Sequence, residues 1–271
     1  MPAILEAISV SKTFPKRGGM LRRRAGDVAA VRGVNLALES GEPLGIVGES
    51  GSGKTTLAKL LIGLLRPSEG EVLINGVSWD RLRGPQRLIA RRTAQFIFQD
   101  PMNSLNPRMT VEETLSEPLS IHHLATGSAA RHARITELLE SVRLPAAYRR
   151  RLPRELSGGE RQRVGIARAL AVEPAALLCD EPIASLDVSV GAQILELLRS
   201  LCAERRLALL LISHDLRAVA SLCRRIAVMR GGQVVETAPT ATLLSQPGHP
   251  YTSLLLRSAS LDLDAPDAID R

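Results

Sequence analysis

Apolar positions along the chain fall into short, dense runs separated by turn-forming residues. Residues 4–10 and 31–38 read as strands, parted by the polar, glycine-containing stretch 15–26. Residues 43–47 (PLGIV) are apolar, too short for a helix and flanked by glycine, which predicts a buried strand. Helical spacing follows over 57–65 and stops at Arg66-Pro67. Residues 71–74 with Asn75-Gly76 predict another strand and a tight turn. From 81 to about 153 the texture turns helical, punctuated by Pro85, Pro101, Pro107, Pro118 and Pro145. Buried-strand runs return at 175–179 and 207–212, and 225–230, Gly231-Gly232 and 233–236 predict a closing hairpin. The tail from 262 is polar. The pattern is an α/β core interrupted by a mainly helical insertion.

Composition narrows this picture. With 45% apolar and 23% charged residues over 271 positions, the chain can bury a real core. One Trp, two Tyr and three Phe make that core aliphatic and leave few rings for stacking single-stranded nucleic acid. No apolar run approaches the roughly 18 residues of a membrane span, and residues 1–10 lack the pattern of a signal peptide. Cys179, Cys202 and Cys223 are odd in number and form no CxxC, so neither a disulfide framework nor a zinc knuckle is expected, and a reducing cytoplasm fits. The net charge of +7 is unevenly spread: residues 81–168 hold 16 basic and 8 acidic side chains. That segregation favours a localised basic surface, with Arg149–Arg151 in it, facing an anionic leaflet over a nucleic-acid groove.

Candidate chemistry begins at Gly48, Glu49, Ser50, Gly51, Ser52, Gly53, Lys54 and Thr55, which fit G-x-x-x-x-G-K-[ST] between a predicted strand and a predicted helix. Glycines let successive N–H groups turn toward a phosphate, and the helix opening at Thr56 adds its dipole. Lys54 can reach the β- and γ-phosphates and the Thr55 hydroxyl can ligate Mg²⁺. Asp180 and Glu181 follow a buried run and supply the carboxylates such a site needs: Asp180 for the metal, Glu181 to polarise water.

Residues 156–163 (LSGGERQR) resemble the signature of ATP-binding-cassette ATPases. The Ser157 hydroxyl and the Gly158 and Gly159 N–H groups read as a second anion cradle at a helix start, with Glu160 in the same signature. Further motifs follow in the family's order, and the resemblance covers nearly the whole chain. It implies a P-loop NTPase (RecA-like) core over 1–85 and 160–240, with an antiparallel β subdomain, a helical subdomain over 86–159 and an extension over 241–271. It also implies that Phe14 stacks on adenine, Gln99 senses Mg²⁺ near the permease, Asp187 crosses a dimer interface and His214 contacts the γ-phosphate. ATP and Mg²⁺ are then the expected cofactors.

The stretch 99–108 (QDPMNSLNPR), the insertion at 15–30 and the ending Gly248-His249-Pro250-Tyr251-Thr252 are similar to importers of peptides and nickel, in their shorter ATPase subunit. That resemblance implies two membrane permeases, a second and non-identical ATPase, an extracytoplasmic binding protein and a place on the cytoplasmic face of the membrane. An ATPase of a carbon–phosphorus lyase assembly is the alternative reading. A DNA-repair cassette is disfavoured because no zinc module or long coiled coil is present, and a GTP switch because no NKxD motif follows. Two positions depart from the family: Ile183 stands where Thr is usual, and Glu160 where Gln is commoner.

Overall fold

In the computed structural model, which describes residues 3–15, 27–99 and 104–261, the apolar runs assemble into two sheets. β1 (Ala3–Phe14), β2 (Val28–Glu39), β4 (Glu69–Ile74) and β5 (Val77–Ser78) form an antiparallel sheet in the order β2-β1-β4-β5. β3 (Pro43–Val47) belongs to the second sheet, parallel to β8 (Ala208–Ile212) on one side and β9 (Arg225–Arg230) on the other. β7 (Ala176–Asp180) and β6 (Ala94–Ile97) extend it in parallel beyond β8, and β10 (Gln233–Pro239) closes the opposite edge antiparallel to β9.

Every residue of β7 and β8 is buried, which is why those strands read as unbroken apolar runs rather than as alternation. Ala176, Leu178, Leu210 and Ile212 pack with α1 (Lys54–Leu61) and the antiparallel sheet. Leu177, Cys179, Leu209 and Leu211 face the other way, toward Gly158–Leu170 (α5), Val188–Arg205 (α6) and Leu216–Leu222 (α7). The same cluster takes in Leu115, Leu119, Leu138 and Leu139 of α3 (Val111–Ile121) and α4 (Ser128–Ser141), so the helical insertion shares the core of the sheet. Among the described residues no helix is long and apolar enough to cross a membrane.

Two features differ from the sequence reading. β6 lies within 86–159, the stretch expected to be helical, and directly follows α2 (Gly84–Thr93). Its four residues are too few to show a period, and only pairing from Ala94 with Ala176 to Ile97 with Cys179 defines it. Pro118 sits inside α3 instead of ending it; the helix forgoes one backbone bond there and continues because Leu115 and Leu119 are buried on either side. Beyond β10 the chain forms α8 (Thr240–Ser245) and α9 (Pro250–Leu261). Residues 16–26 of the insertion, residues 100–103 and the polar tail from 262 lie outside the described residues.

Gly45 shows how tightly the central strand is covered. A Cβ there would stand 2.1 Å from Val219 Cγ1 on α7 and 3.4 Å from Cys223 Sγ just past that helix. Gly45→Ala is expected to destabilise the fold by about 1–3 kcal/mol through overpacking. Thermal denaturation of that variant beside Gly45→Ala with Val219→Ala checks this, since removing the clashing methyls should recover part of the loss.

Candidate functional site

The carboxyl ends of β3, β8, β7 and β6 lie side by side, and the residues leaving them carry the polar groups of the site. Gly48 follows β3, Glu181 follows β7 and His214 stands two residues past β8. A phosphate-binding crevice at this edge is the general expectation for an open parallel sheet.

The 48–55 loop owes its shape to its glycines. Gly48 has φ +151° and Gly53 φ +104°, and a Cβ would meet Met229 O at 2.1 Å in the first and Ala30 O at 2.2 Å in the second. Gly51, at φ +79°, faces open space. Ser52 is pinned through its backbone, its N–H donating to Glu49 O and its carbonyl accepting from Gly232 N–H. Its hydroxyl is buried without a partner. Glu49 and Ser50 are exposed, Thr56 is half-buried, and Lys54 is only 6% exposed.

The Lys54 ammonium donates to Gly48 O at 2.7 Å and to Glu49 O at 2.8 Å. Burial holds its pKa below the usual lysine range, while the charges of Glu181, Asp180 and Glu49 act in the opposite sense. Thr55 Oγ1 donates to Asp180 Oδ1 at 3.0 Å. Burial raises the Asp180 carboxyl, and the Thr55 hydrogen bond opposes that rise. Glu181 adopts φ +46°, a left-handed backbone rare for a residue with a side chain, and its N–H donates to Ile212 O. Its carboxylate lies 2.9 Å from His214 Nδ1. Strain of this kind gathers at sites where geometry matters more than local comfort.

These groups fit a nucleotide phosphate with a magnesium ion. The loop supplies an orphaned hydroxyl and a buried cation; Thr55 and Asp180 supply hard oxygen donors. Among the described residues no three His, Cys, Asp or Glu side chains gather to hold a metal alone. Magnesium suits that arrangement, since it characteristically takes one or two carboxylates together with phosphate and water oxygens.

The remaining expected residues lie around this cluster. Gln99 is exposed just past β6, whose register with β7 puts it level with Glu181. Phe14 ends β1 with a ring 37% exposed and the Lys12 ammonium 5.3 Å from its centroid, so it is not a core residue. Ile183 packs beneath Gly191 of α6, where a Cβ would meet it at 3.5 Å.

Ser157, Gly158, Gly159 and Glu160 form a separate group at the start of α5. Ser157 caps the helix and Glu160 completes a capping box, its carboxylate accepting from Ser157 N–H at 2.7 Å. That backbone bond lowers the Glu160 pKa. The Tyr148 hydroxyl donates to the other Glu160 oxygen at 2.7 Å, and the Arg151 guanidinium stacks 3.8 Å from the Tyr148 ring. Arg151 therefore supports the signature as well as adding to the basic insertion. Cβ atoms on Gly158 and Gly159 would meet Leu186 at 3.1 Å and Val190 at 2.4 Å, so both glycines also serve packing. Asp187 caps α6, accepting from Val190 N–H and the Ser189 hydroxyl; the backbone bond comes first in lowering its pKa. Sequence reading gave no role to Tyr148 or Tyr251. The first carries no local pattern, because its partner lies a helix start away; the second sits in the Gly248–Thr252 segment and touches Glu49.

Comparison with known proteins agrees with this geometry. The ABC transporter family model matches residues 31–184. The chain is 44% identical over 256 residues to the oligopeptide transport ATP-binding protein AppF of Bacillus subtilis, covering 94% of this chain and 78% of that one. It is 46% identical over 243 residues to the oligopeptide transport ATP-binding protein OppF of the same organism, covering 89% and 79%. Among solved structures, the dimeric post-hydrolysis state of the ATP-binding cassette MJ0796 bound to ADP and Pi superposes with a TM-score of 0.76 at 32% identity, covering 87% of this chain and 98% of that one. With the phosphate loop, the carboxylate pair and the signature all in place on this fold, the chain belongs to the ABC transporter family as an ATPase cassette.

Proposed function

We propose that this chain is the ATP-binding and hydrolysing subunit of a peptide importer. It works at the cytoplasmic face of a membrane, against two permease subunits fed by an extracytoplasmic binding protein and beside a second, non-identical cassette. The observation that carries this reading is the convergence of Lys54, Thr55, Asp180, Glu181 and His214 at one sheet edge. Peptide rather than nickel as cargo is supported by the names of the oligopeptide transport relatives.

Lys54 and the 51–56 amides would hold the phosphates of ATP, with Phe14 against the adenine. Thr55, Asp180 and Gln99 would hold magnesium, which when bound offsets charge on the phosphates. Glu181 then accepts the proton of a water whose oxygen bonds to the γ-phosphorus as the bond to the ADP oxygen breaks. His214 holds the Glu181 carboxylate in place through Nδ1. Hydrolysis removes the γ-phosphate contacts, and the Ser157–Glu160 cradle of the partnering cassette is released, which turns a local change of charge into domain movement.

Glu181→Gln is expected to bind ATP with near-normal affinity and to lose turnover by about a hundredfold or more, the usual share of a general base. A phosphate-release assay beside equilibrium binding checks both halves; near-normal turnover would remove Glu181 from this role. Lys54→Ala is expected to weaken binding of a fluorescent ATP analogue by roughly tenfold to a hundredfold, the worth of charge-assisted hydrogen bonds.

A further inference from the structure

The Gly248–Thr252 segment is built as a delivery device for one side chain. Glu236 on β10 accepts from the N–H groups of Gly248 at 2.8 Å and His249 at 3.0 Å. His249 Nδ1 accepts from Tyr251 N–H at 3.1 Å, so the imidazole caps α9. Pro250 takes the first helical position, where no amide donor is needed. Tyr251, 2% exposed, is thereby turned against the phosphate loop, and the Arg230 guanidinium stacks 4.7 Å from its ring centroid.

The Tyr251 phenol oxygen accepts from Glu49 N–H at 3.1 Å. The carbonyl of the same peptide, that of Gly48, accepts from the Lys54 ammonium at 2.7 Å. One peptide plane is thus held at both ends. Because a peptide is planar, fixing where its N–H points also fixes where its C=O points. Gly48 lies in a backbone region that leaves rotation of that plane little hindered by a side chain of its own, so hydrogen bonds set its orientation.

We infer that Tyr251 is a positioning residue of the nucleotide site: through the Gly48–Glu49 peptide it sets where the Lys54 ammonium rests. This rests on the reading of residues 48–55 as the phosphate loop. The C-terminal segment is then a working part of the site, some two hundred residues from the loop in sequence, and a displacement of α9 alters the loop's grip on phosphate.

The test uses the full chain as wild type, Tyr251→Phe and Leu255→Ala. The phenylalanine variant keeps the ring and deletes only the acceptor. Leu255→Ala trims one partly buried α9 side chain that packs against the core, and leaves the helix and the phenol in place. The readouts are melting temperature, affinity for a fluorescent ATP analogue, and hydrogen exchange at the Glu49 amide without nucleotide. Tyr251→Phe should bind the analogue about fivefold more weakly, the worth of one ordinary hydrogen bond. Its Glu49 amide should exchange faster, while Leu255→Ala leaves both readouts near wild type. Unchanged affinity in Tyr251→Phe, an equal loss in Leu255→Ala, or unchanged Glu49 exchange overturns the positioning role. Failure of the wild-type chain to bind the analogue would instead sink the phosphate-loop reading, and the exchange measurement tells the two failures apart.

Discussion

A buried ammonium group is the constraint around which this molecule is arranged. Lys54 sits where water cannot solvate it, and an uncompensated charge there would cost more than the fold could sustain. Compensation comes from two loop carbonyls and, at longer range, from Glu181 and Asp180. Those carbonyls can turn inward only because Gly48 and Gly53 adopt backbones closed to other residues. The carboxylates can arrive only because β7 and β3 flank β8 in a parallel sheet that ends them at one level. The 48–55 loop, the sheet order and the acidic pair thus all answer to one electrostatic requirement. The same requirement suits the site to the function proposed for it, because a phosphate would satisfy the cation better than carbonyls do.

Much of this was legible in the sequence, and for physical reasons. β3 and β9 fall where the apolar runs and glycine borders place them, because a strand covered on both faces leaves no polar position to blur its limits. The turn of the 48–55 loop was legible because glycine is the residue that its backbone demands. Asp180 and Glu181 were legible as charges set against an otherwise unbroken apolar run.

What escaped was long-range. β6 has four residues and exists by virtue of its neighbour, so no local period could mark it. Tyr148 and Arg151 support Glu160 across a turn whose geometry is set by packing. The signature glycines suggest an anion cradle in sequence, and in the fold they let α5 approach Leu186 and Val190 closely. A Gly-Gly pair announces closeness without saying to what. Contact between Tyr251 and Glu49 was equally invisible, since it joins opposite ends of the chain.

The capping box at Ser157 carries one more consequence, which follows from counting lone pairs and protons. The serine oxygen accepts from Glu160 N–H, and the Glu160 carboxylate accepts from Ser157 N–H. With an acceptor site of the hydroxyl spent on its own helix, the proton it still carries is what it offers outward. A hydroxyl in that state can donate outward and keeps one lone pair with which to accept. Threonine at this position would preserve the arrangement; alanine would remove both the cap and the outward donor, and aspartate would keep the cap while turning the outward face from donor to acceptor. Helix stability alone tolerates aspartate here as readily as serine, so the cap by itself does not require an alcohol.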